Sequence, residues 1–412
     1  MNRSLPPFQA FAQTDARRRS LRIAFVTESY PPEINGVANT VARVIDGLRS
    51  RSHHVQVVRP RQGSHDKGLC QEGPHDVLTG GMAIPMYGQL RLGFPSRRRL
   101  QALWQEQRPD VVHIATEGPL GWSALQAASR LRLPVCSDFR TNFQAYSKFY
   151  GLAWLKNPIT AYLRNVHNLC HSTMVPTDAL RLTLAREGFS PLSVVARGVD
   201  VALFAPEKKS LSLRSQWGVA EDDVVALYVG RLAAEKNLQL LLESFRNMRA
   251  ACPRARLVIV GDGPIRKQLQ SQCPDATFAG FQRGEDLAAC YASSDMFLFP
   301  SLTETFGNVT AEAMASGLAV VAFDDAAAGQ LIVHRGNGLL APKDDPAQFV
   351  RLCTGLACDK ALRERLGARA RDTALTMGWE NIVRNVEDQY ATAMVRLRQG
   401  PLPRVWSQAS GV

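Results

Sequence analysis

The sequence predicts an α/β chain of two Rossmann-like domains whose parallel sheets face each other across a cleft. Three observations predict this fold. Apolar runs of strand length alternate with helix-length amphipathic segments, and the same alternation starts again after residue 200. At 412 residues, the chain is also long enough to build two domains, each with its own hydrophobic core.

The apolar runs form two series. The predicted strands of the first series are Leu21–Thr27, Val55–Arg59, Asp110–Ile114, Pro134–Asp138 and Ser172–Val175. Those of the second series are Val224–Gly230, Arg256–Gly261, Ala276–Gly280, Asp295–Pro300 and Leu318–Ala322. Because a helical pattern separates successive strands, each series predicts a doubly wound parallel sheet.

These two series divide the chain into regions. We expect a disordered start at residues 1–20, a first domain at 21–199 and a second domain at 200–377. A helix at residues 378–397 is expected to cross back to the first domain, and residues 398–412 to form a tail. Pro206–Ser212, which is rich in charge, is interpreted as a linker.

The positive charge of the chain lies entirely in its first half. Residues 1–199 hold 25 Lys and Arg against 13 Asp and Glu, whereas residues 200–412 hold 24 of each kind. A plain basic surface explains this, but so does an anionic partner. Since no nucleic-acid motif is present, a lipid surface or an acidic acceptor ranks above nucleic acid. Arg97–Arg99 and the stretch Phe139–Arg164 are the candidate contacts.

Composition also excludes several classes of protein. No apolar run approaches the roughly 20 residues of a membrane helix, and no apolar segment follows a charged start as in a secretory signal. The eight Cys are dispersed without the spacing of a zinc site, as is typical of a reducing cytoplasm. We therefore expect a cytoplasmic protein, with peripheral attachment to the inner face of the membrane as the finer alternative.

The strongest motif follows the predicted strand that ends at Pro300. Gly307 permits a close backbone approach at the start of a helix, so the free amides near Gly307, Asn308 and Val309 can bind a diphosphate. Glu304 and Glu312 flank this site and can accept hydrogen bonds from sugar and ribose hydroxyls. The alternative is that the two acids only favour a helix N-terminus.

Two further turns carry candidate ligands. Arg231 and Lys236 follow Gly230 at the carboxyl edge of the second sheet, where two cations can neutralise the charge of a departing nucleoside diphosphate. The alternative is a solvated loop of mixed charge. In the first domain, Gly36 opens the first helix and lets a phosphate or sugar approach the backbone.

Taken together, these motifs resemble glycosyltransferase family 4, which has the GT-B fold. They are Glu304 with Glu312, Gly230-Arg231 with Lys236, the turn Asn35-Gly36-Val37, and Arg197-Gly-Val-Asp200. The resemblance spans roughly residues 21–395 and is strongest to bacterial GDP-mannose-dependent α-mannosyltransferases and sulfoquinovosyl-diacylglycerol synthases.

The family implies a retaining transfer of a hexose, with mannose favoured, from a nucleotide-diphosphate sugar to a lipid or glycan acceptor. It implies no metal and no cofactor. A UDP-sugar-dependent glycolipid synthase is the alternative within the family. A sugar-nucleotide 2-epimerase and a non-catalytic nucleotide-sugar binding protein are the alternatives outside it.

The resemblance also assigns roles to residues. It implies that the first domain binds the acceptor and the second the donor. Glu304 then contacts the donor sugar, Glu312 the ribose, and Arg231 and Lys236 the diphosphate. Gly36 lets the first domain close on the donor. The base pocket is lined by the loop of Gly280, Gln282 and Arg283.

The chain departs from the family at two places in the first domain. Arg140 stands where relatives often carry a cleft His, and Ala115 stands where many carry a second one. Asp138 and Arg140 are therefore expected to contact the acceptor instead. His113 is interpreted as either a strand-packing residue or a ligand, and the aromatic stretch Phe139–Arg164 as either core or an interfacial acceptor site.

Overall fold

The computed structural model describes residues 19–33, 36–62, 66, 76–84, 87–139, 156–302, 304 and 306–400. Within those ranges the chain builds two separate parallel sheets, in agreement with the predicted α/β class. Residues 1–18 of the expected disordered start and residues 401–412 of the expected tail lie outside the described residues.

The first sheet comprises seven strands within those ranges. They are β1 (Arg22–Val26), β2 (His54–Pro60), β3 (Val77–Thr79), β6 (Val111–Ile114), β7 (Val135–Asp138), β8 (Ser172–Val175) and β9 (Leu192–Val194). Their order is β3-β2-β1-β6-β7-β8-β9, and all neighbours are parallel. The direction of winding reverses between β1 and β6, so a crevice opens at the carboxyl ends of these two strands.

A two-stranded antiparallel ribbon, which the sequence did not predict, lies beside this sheet. It is formed by β4 (Gly81–Ile84) and β5 (Tyr87–Gly93). A Cβ atom built on Gly81 would lie 2.8 Å from Pro60 Cβ, and one built on Gly93 would lie 2.8 Å from Leu120 Cβ. These two glycines therefore allow one face of the ribbon to pack closely against the first domain.

The second sheet repeats the winding of the first. Its strands are β10 (Val224–Val229), β11 (Ala255–Val260), β12 (Thr277–Gly280), β13 (Met296–Phe299), β14 (Ala319–Phe323) and β15 (Leu339–Ala341). Their order is β12-β11-β10-β13-β14-β15, again with parallel neighbours. The switch point here lies between β10 and β13.

Helices cover both sheets. Those of the first domain are α1 (Gly36–Ser50), α2 (Arg97–Glu106), α3 (Pro119–Arg130), α4 (Lys156–Asn168) and α5 (Asp178–Arg186). Those of the second are α6 (Leu211–Gln216), α7 (Leu238–Ala251), α8 (Arg266–Gln272), α9 (Gly284–Ala292), α10 (Asn308–Ala315), α11 (Ala326–Leu331), α12 (Pro346–Cys358) and α13 (Lys360–Leu375). Short 3₁₀ helices occur at Pro206–Lys208 and Ala234–Lys236.

The last helix, α14 (Trp379–Gln399), packs on the first domain and runs two residues further than the sequence predicted. Its Val383 and Tyr390 share a buried core with Val41 and Ile45 of α1. The close approach depends on Gly47, since a Cβ there would lie 2.5 Å from a Val383 methyl. The C-terminal helix is thus part of the first domain's core.

The chain passes between the domains at two adjacent points. Val199 pairs with Gly378, and the Val199 amide donates to the Met377 carbonyl oxygen at 3.1 Å. The interpretation of Pro206–Ser212 as a linker was wrong. This segment forms a 3₁₀ helix and the start of α6, and the Ser210 amide donates to Ser293 Oγ of the second domain.

Candidate active site

The loop between β13 and α10 ends in an open helix N-terminus. Gly307, which immediately precedes the helix, has φ +90° and ψ +64°, a backbone conformation that glycine adopts without strain. Asn308 Oδ1 and Thr310 Oγ1 are buried and have no hydrogen-bond partner in the part of the chain that the structure describes. A phosphate and the hydroxyls around it would satisfy such groups.

Glu304 and Lys236 form an ion pair at the same edge of the sheet. Lys236 Nζ lies 2.5 Å from Glu304 Oε1, and Ser301 Oγ donates to the same oxygen at 2.9 Å. The two residues come from the loops that follow β10 and β13, the neighbouring strands at the switch point. Lys236 and Glu304 therefore meet at the carboxyl edge of the second sheet, and their roles toward the donor stay predictions.

Arg231 lies two residues beyond the end of β10. Its carbonyl oxygen accepts a hydrogen bond from the Tyr228 hydroxyl at 3.2 Å, which fixes the backbone of the turn. The side chain is exposed, and within the described ranges it makes no hydrogen bond or ion pair. Its guanidinium is therefore free to bind an anionic ligand in the cleft.

Glu312 lies one turn into α10, beside a buried tyrosine. The Tyr291 hydroxyl donates to Glu312 Oε2 at 2.9 Å. Although the residue keeps partial exposure, burial of its carboxyl group raises the pKa from 4.5 to about 7. A carboxyl held by one hydrogen bond retains acceptor capacity for ligand hydroxyls.

The loop Gly280–Arg283 lies at the end of β12, on the outer edge of the second sheet. The Gly280 carbonyl oxygen accepts from the Gly261 amide at 2.7 Å, which aligns this loop with the turn after β11. The Arg283 guanidinium stacks on the exposed Phe281 ring at 4.7 Å, and Gln282 Nε2 donates to the Ala279 carbonyl oxygen. Phe281 is a flat apolar surface that the sequence analysis did not single out.

Gly36 of the first domain lies directly opposite α10. A Cβ built on Gly36 would lie 3.9 Å from Asn308 Nδ2 of the second domain. Nearby, Arg197 stacks on the Phe306 ring at 5.9 Å. The two domains therefore approach each other at the N-termini of α1 and α10, while Asn35 lies outside the described residues.

Asp138 ends β7 and is held by a histidine. Asp138 Oδ2 lies 2.9 Å from His113 Nε2, and His113 Nδ1 lies 2.7 Å from the Tyr390 hydroxyl. His113 is fully buried on β6. The open question about His113 is thereby answered, because it is a packed, hydrogen-bonded residue and does not line the cleft. Arg140 lies outside the described residues.

The aromatic stretch is only partly described. Phe139 is buried against Leu163 and Phe189, so it belongs to the core. Tyr162 is 40% exposed and donates to the Glu117 carbonyl oxygen at 2.6 Å. Residues 140–155 of the stretch lie outside the described part, and an acceptor site there stays a prediction.

The sequence analysis missed two buried acids at the switch point of the first sheet. Glu28 Oε1 accepts from the Leu120 amide at 2.9 Å, and burial raises the pKa of Glu28 to about 7. Glu117 Oε1 lies 3.1 Å from His167 Nε2. A signal was available, since Glu28 directly follows the first predicted strand, but its partner lies about ninety positions later.

The described residues contain neither a cluster of metal ligands nor a helix that could span a membrane. No group of three or more His, Cys, Asp or Glu side chains converges there as metal ligands would. No helix in that part of the chain is both long and apolar enough to cross a bilayer.

Family comparisons agree with this geometry. Residues 223–359 match the family described as "Glycosyl transferases group 1", and residues 34–203 match "Glycosyltransferase Family 4". A protein of Mycobacterium tuberculosis named GDP-mannose-dependent alpha-mannosyltransferase is 36% identical over 87% of this chain and 93% of its own length. The chain belongs to glycosyltransferase family 4. The resemblance drawn from the sequence motifs is confirmed, and the chain is a glycosyltransferase.

Another relative has a different name. Sulfoquinovosyl transferase SQD2 of Arabidopsis thaliana is 29% identical over 90% of this chain and 74% of its own. Among solved structures, HepE from Anabaena in complex with UDP has a TM-score of 0.73 at 19% identity, covering 90% of this chain and all of that one. Sucrose-phosphate synthase from Thermosynechococcus elongatus has a TM-score of 0.70 at 19% identity, covering 90% and 99%. These neighbours confirm the GT-B fold.

Proposed function

We propose that this family 4 glycosyltransferase transfers mannose from GDP-mannose to a lipid or glycan acceptor with retention of configuration. The observation that carries the proposal is the Lys236–Glu304 ion pair at the sheet edge that also carries the N-terminus of α10 and Arg231, whose side chain has no partner among the described residues. The sugar and the base are supported by relatives 32–36% identical that are named GDP-mannose-dependent alpha-mannosyltransferases.

The cleft meets the charge needs of such a donor. Its diphosphate would rest on the amides of Gly307, Asn308 and Val309, with Arg231 and Lys236 on its flank. During transfer, negative charge grows on the departing nucleoside diphosphate, and fixed cations stabilise it in the transition state more than in the ground state. Arg231 and Lys236 are therefore assigned to the leaving group.

Glu304 is suited to hold the donor sugar. Lys236 and Ser301 both bond its Oε1 atom, so the carboxylate is oriented before any ligand binds. A carboxylate fixed in this way can accept hydrogen bonds from sugar hydroxyls. Glu312 is assigned to the ribose and the Gly280–Arg283 loop to the base, with the exposed Phe281 ring as a stacking surface.

The acceptor is assigned to the opposite side of the cleft. Asp138 lies at the carboxyl end of β7 and is only 6% exposed, with its carboxylate held by His113. We assign to Asp138, together with Arg140, the contacts with an acceptor hydroxyl. A glycan supplies such hydroxyls, as does the sugar headgroup of a glycolipid.

A donor panel tests the proposal. Purified protein would be offered GDP-mannose, UDP-glucose and UDP-sulfoquinovose, each with and without a set of glycolipid acceptors, and products would be followed by mass spectrometry and by NMR of the anomeric proton. Transfer from GDP-mannose with an α-linked product supports the proposal. Transfer from a UDP-sugar alone would favour a glycolipid synthase. Donor conversion without acceptor would favour an epimerase, and tight donor binding without turnover a binding protein.

We infer that transfer needs no divalent metal. Arg231, Lys236 and the α10 amides together supply the positive charge that a metal would otherwise bring to the diphosphate. Assays with EDTA and with added magnesium or manganese check this. Activity that EDTA abolishes and either metal restores would contradict it.

We further propose that the enzyme works in the cytoplasm, where it binds the inner face of the membrane through one surface. This surface, which we call the ribbon face, consists of Met82, Leu92 and Phe94 and is flanked by Arg98 and Arg99. Met82 is 49% and Phe94 47% exposed, and Met82 pairs with Leu92 on the side opposite the packed glycines. Apolar side chains beside arginines suit an anionic lipid surface.

The position of Arg98 favours this role over a structural one, whereas Arg99 also donates from its guanidinium to the Leu78 carbonyl oxygen at 2.8 Å. They occupy the first turn of α2, which has no acidic residue there. Cations are unfavourable at a helix N-terminus, so helix stability does not explain them. The ribbon also packs against the start of α3, next to the crevice of the first sheet, so a bound membrane would lie near the acceptor side.

Vesicle co-sedimentation tests the ribbon face. We expect binding to vesicles with anionic lipid, loss at high salt, and weakening in Arg98→Ser/Arg99→Ser and in Met82→Ser/Phe94→Ser, with donor affinity unchanged. Matched controls on the second domain are Leu211→Ser, 69% exposed, and Arg254→Ser. Equal binding to zwitterionic vesicles, or equal loss in the controls, would leave a soluble acceptor as the better interpretation.

A further inference from the structure

Three buried side chains link the C-terminal helix to the acceptor side of the cleft. The Tyr390 hydroxyl of α14 lies 2.7 Å from His113 Nδ1, and His113 Nε2 lies 2.9 Å from Asp138 Oδ2. Tyr390 and His113 are fully buried, and only Asp138, with 8% of its side chain exposed, reaches the surface. The chain of bonds therefore runs from the core of one helix to a carboxylate at the edge of the first sheet.

The chemistry of the three groups sets the direction of each bond. A carboxylate only accepts, so His113 Nε2 carries a proton and donates to Asp138. In a neutral imidazole Nδ1 must then accept, and the Tyr390 hydroxyl is its donor. The His113 ring is fully buried, with the Phe25 ring centroid 4.1 Å away on one side and the Tyr390 ring at its edge. The Tyr390 hydroxyl thus selects the tautomer that His113 presents to Asp138.

Asp138 lies where the first sheet, α1 and the C-terminal helix meet. It lines a crevice together with Thr40 of α1, Arg197 of the interdomain segment, and Ile382 and Val386 of α14. His113 holds one oxygen of the Asp138 carboxylate. The plane of the carboxylate and the direction in which it faces the crevice are therefore fixed by a residue of the core.

We propose that Tyr390 and His113 are positioning residues that orient the Asp138 carboxylate for the acceptor. The inference rests on the assignment of Asp138 to the acceptor in the proposed function and adds a role for the C-terminal helix. The packing of α14 on the first domain then contributes more than buried apolar contacts. It delivers the hydroxyl that sets the tautomer of His113 and, through it, the geometry of the acceptor site.

The competing explanation is that Tyr390 only stabilises the packing of α14. The same helix offers a matched control, since Ser172 Oγ of β8 donates to Gln389 Oε1 at 2.8 Å. This bond also joins α14 to the first sheet but does not lead to Asp138. Ser172→Ala therefore removes one bond between helix and sheet without touching the three-residue chain.

Kinetics of the proposed transfer separate the two explanations. In Tyr390→Phe the ring still packs, but His113 Nδ1 loses its donor. We expect the KM for the acceptor to rise about tenfold, the worth of roughly one hydrogen bond, with donor KM and acceptor-free donor hydrolysis within about twofold of wild type. Ser172→Ala should leave the acceptor KM unchanged. Equal acceptor KM values in Tyr390→Phe and Ser172→Ala, with a similar fall in melting temperature, would overturn the inference.

A spectroscopic measurement tests the chain of bonds without any substrate. The protein would be labelled with ¹⁵N-histidine, and the His113 signals would be assigned by their loss in His113→Gln. We expect His113 to have a protonated Nε2 and an unprotonated Nδ1 in the wild type. Tyr390→Phe should shift or average this pattern, whereas Ser172→Ala should leave it unchanged. An Nδ1-protonated ring or an imidazolium in the wild type would overturn the inference even if transfer from GDP-mannose is confirmed. Conversely, a chain that transfers nothing would refute the proposed function while this signature remained intact.

Discussion

The two sheets of this enzyme are wound alike but carry opposite chemistry at the same place. Two residues beyond the first strand of the first sheet stands Glu28, and two residues beyond the first strand of the second stands Arg231. Glu28 is buried and bonded to the protein's own backbone, whereas Arg231 is exposed and unpaired among the described residues. One position thus serves the fold in one domain and is open to a ligand in the other.

The helices that follow the neighbouring strands differ in the same way. Helix α3 begins after β6, and the Glu28 carboxylate accepts its Leu120 amide at 2.9 Å. Helix α10 begins after β13, and among the described residues no side chain accepts a hydrogen bond from the amides of its first residues, Asn308 and Val309, while Asn308 Oδ1 is also without a partner there. Both helix ends attract anions. The first is filled by a carboxylate of the protein, and only the second is left for a phosphate.

The comparison also limits what the net charge of a domain indicates. All the excess positive charge of the chain lies in residues 1–199, yet the crevice of that domain's sheet holds the buried acids Glu28 and Glu117. The exposed cations of that half include Arg98 and Arg99 on α2. The charge of a domain therefore indicates what its outer surface meets, and the charge of its cleft has to be determined from the residues that line it.

The largest effect is expected from removing Arg231, the cation at the carboxyl edge of the second sheet. Arg231→Ala should lower kcat about a hundredfold, or roughly 3 kcal/mol in the barrier, because the charge on the leaving diphosphate loses a fixed partner. Glu304→Ala should lower kcat to a similar extent. Steady-state kinetics check both variants, with Arg254→Ala, an exposed arginine paired with Asp222, as the control. Normal turnover in Arg231→Ala would remove its role at the diphosphate.

Glu28, the buried acid at the carboxyl edge of the first sheet, should make the free energy of unfolding depend on pH. Burial raises the pKa of Glu28 from 4.5 to about 7, so folding favours the protonated carboxyl. The protonated Glu28 carboxyl contributes its full stabilisation below pH 4.5, and this stabilisation is lost as the pH rises through about 7. The free energy of unfolding should therefore fall by about 2 to 3 kcal/mol over this range.

Glu28→Gln, which mimics the protonated form, should lack this decline. Urea unfolding of wild type, Glu28→Gln and the surface control Glu243→Gln, at pH values between 4.5 and 8, measures it. If the gap between wild type and Glu28→Gln stays constant over that range, Glu28 does not titrate as a buried acid.

A smaller effect is expected at Glu312, because ribose contacts change little between ground state and transition state. Glu312→Ala should raise the donor KM about tenfold and leave kcat within about twofold. Tyr291→Phe, which removes the hydroxyl that holds Glu312, should raise the donor KM about threefold at most. A fall in kcat that exceeds the change in KM would assign Glu312 to the reacting centre instead.

The sequence predicted most of the sheet architecture but missed the edges. Strands with four or more buried residues, such as β1 and β13, gave clear apolar runs. The three-residue strands β3, β9 and β15 are too short to produce a pattern. The ribbon escaped notice because its strands face solvent on one side and rely on Gly81 and Gly93 on the other. Pro206–Ser212 was misinterpreted because charge and proline are common both in linkers and in short surface helices.

The site was predictable where a motif is local. Glu304, Gly307 and Glu312 lie within one strand–loop–helix unit, and Lys236 belongs to the turn after a neighbouring strand, so the sequence placed all four at the carboxyl edge of one sheet. Contacts between distant segments were out of reach. Periodicity does not reveal that Tyr390 bonds His113 across 277 positions, or that Glu28 caps a helix 92 positions later.

Equilibrium binding of GDP in the presence of EDTA tests the central claim most directly, because it isolates the diphosphate site from the acceptor, the sugar and any metal. Calorimetry would compare wild type, Arg231→Ala and Asp138→Ala. The account predicts that Arg231→Ala weakens GDP binding by about tenfold or more and that Asp138→Ala leaves it unchanged. Unchanged GDP binding in Arg231→Ala, or an equal loss in Asp138→Ala, would contradict the assignment of the donor to the edge of the second sheet.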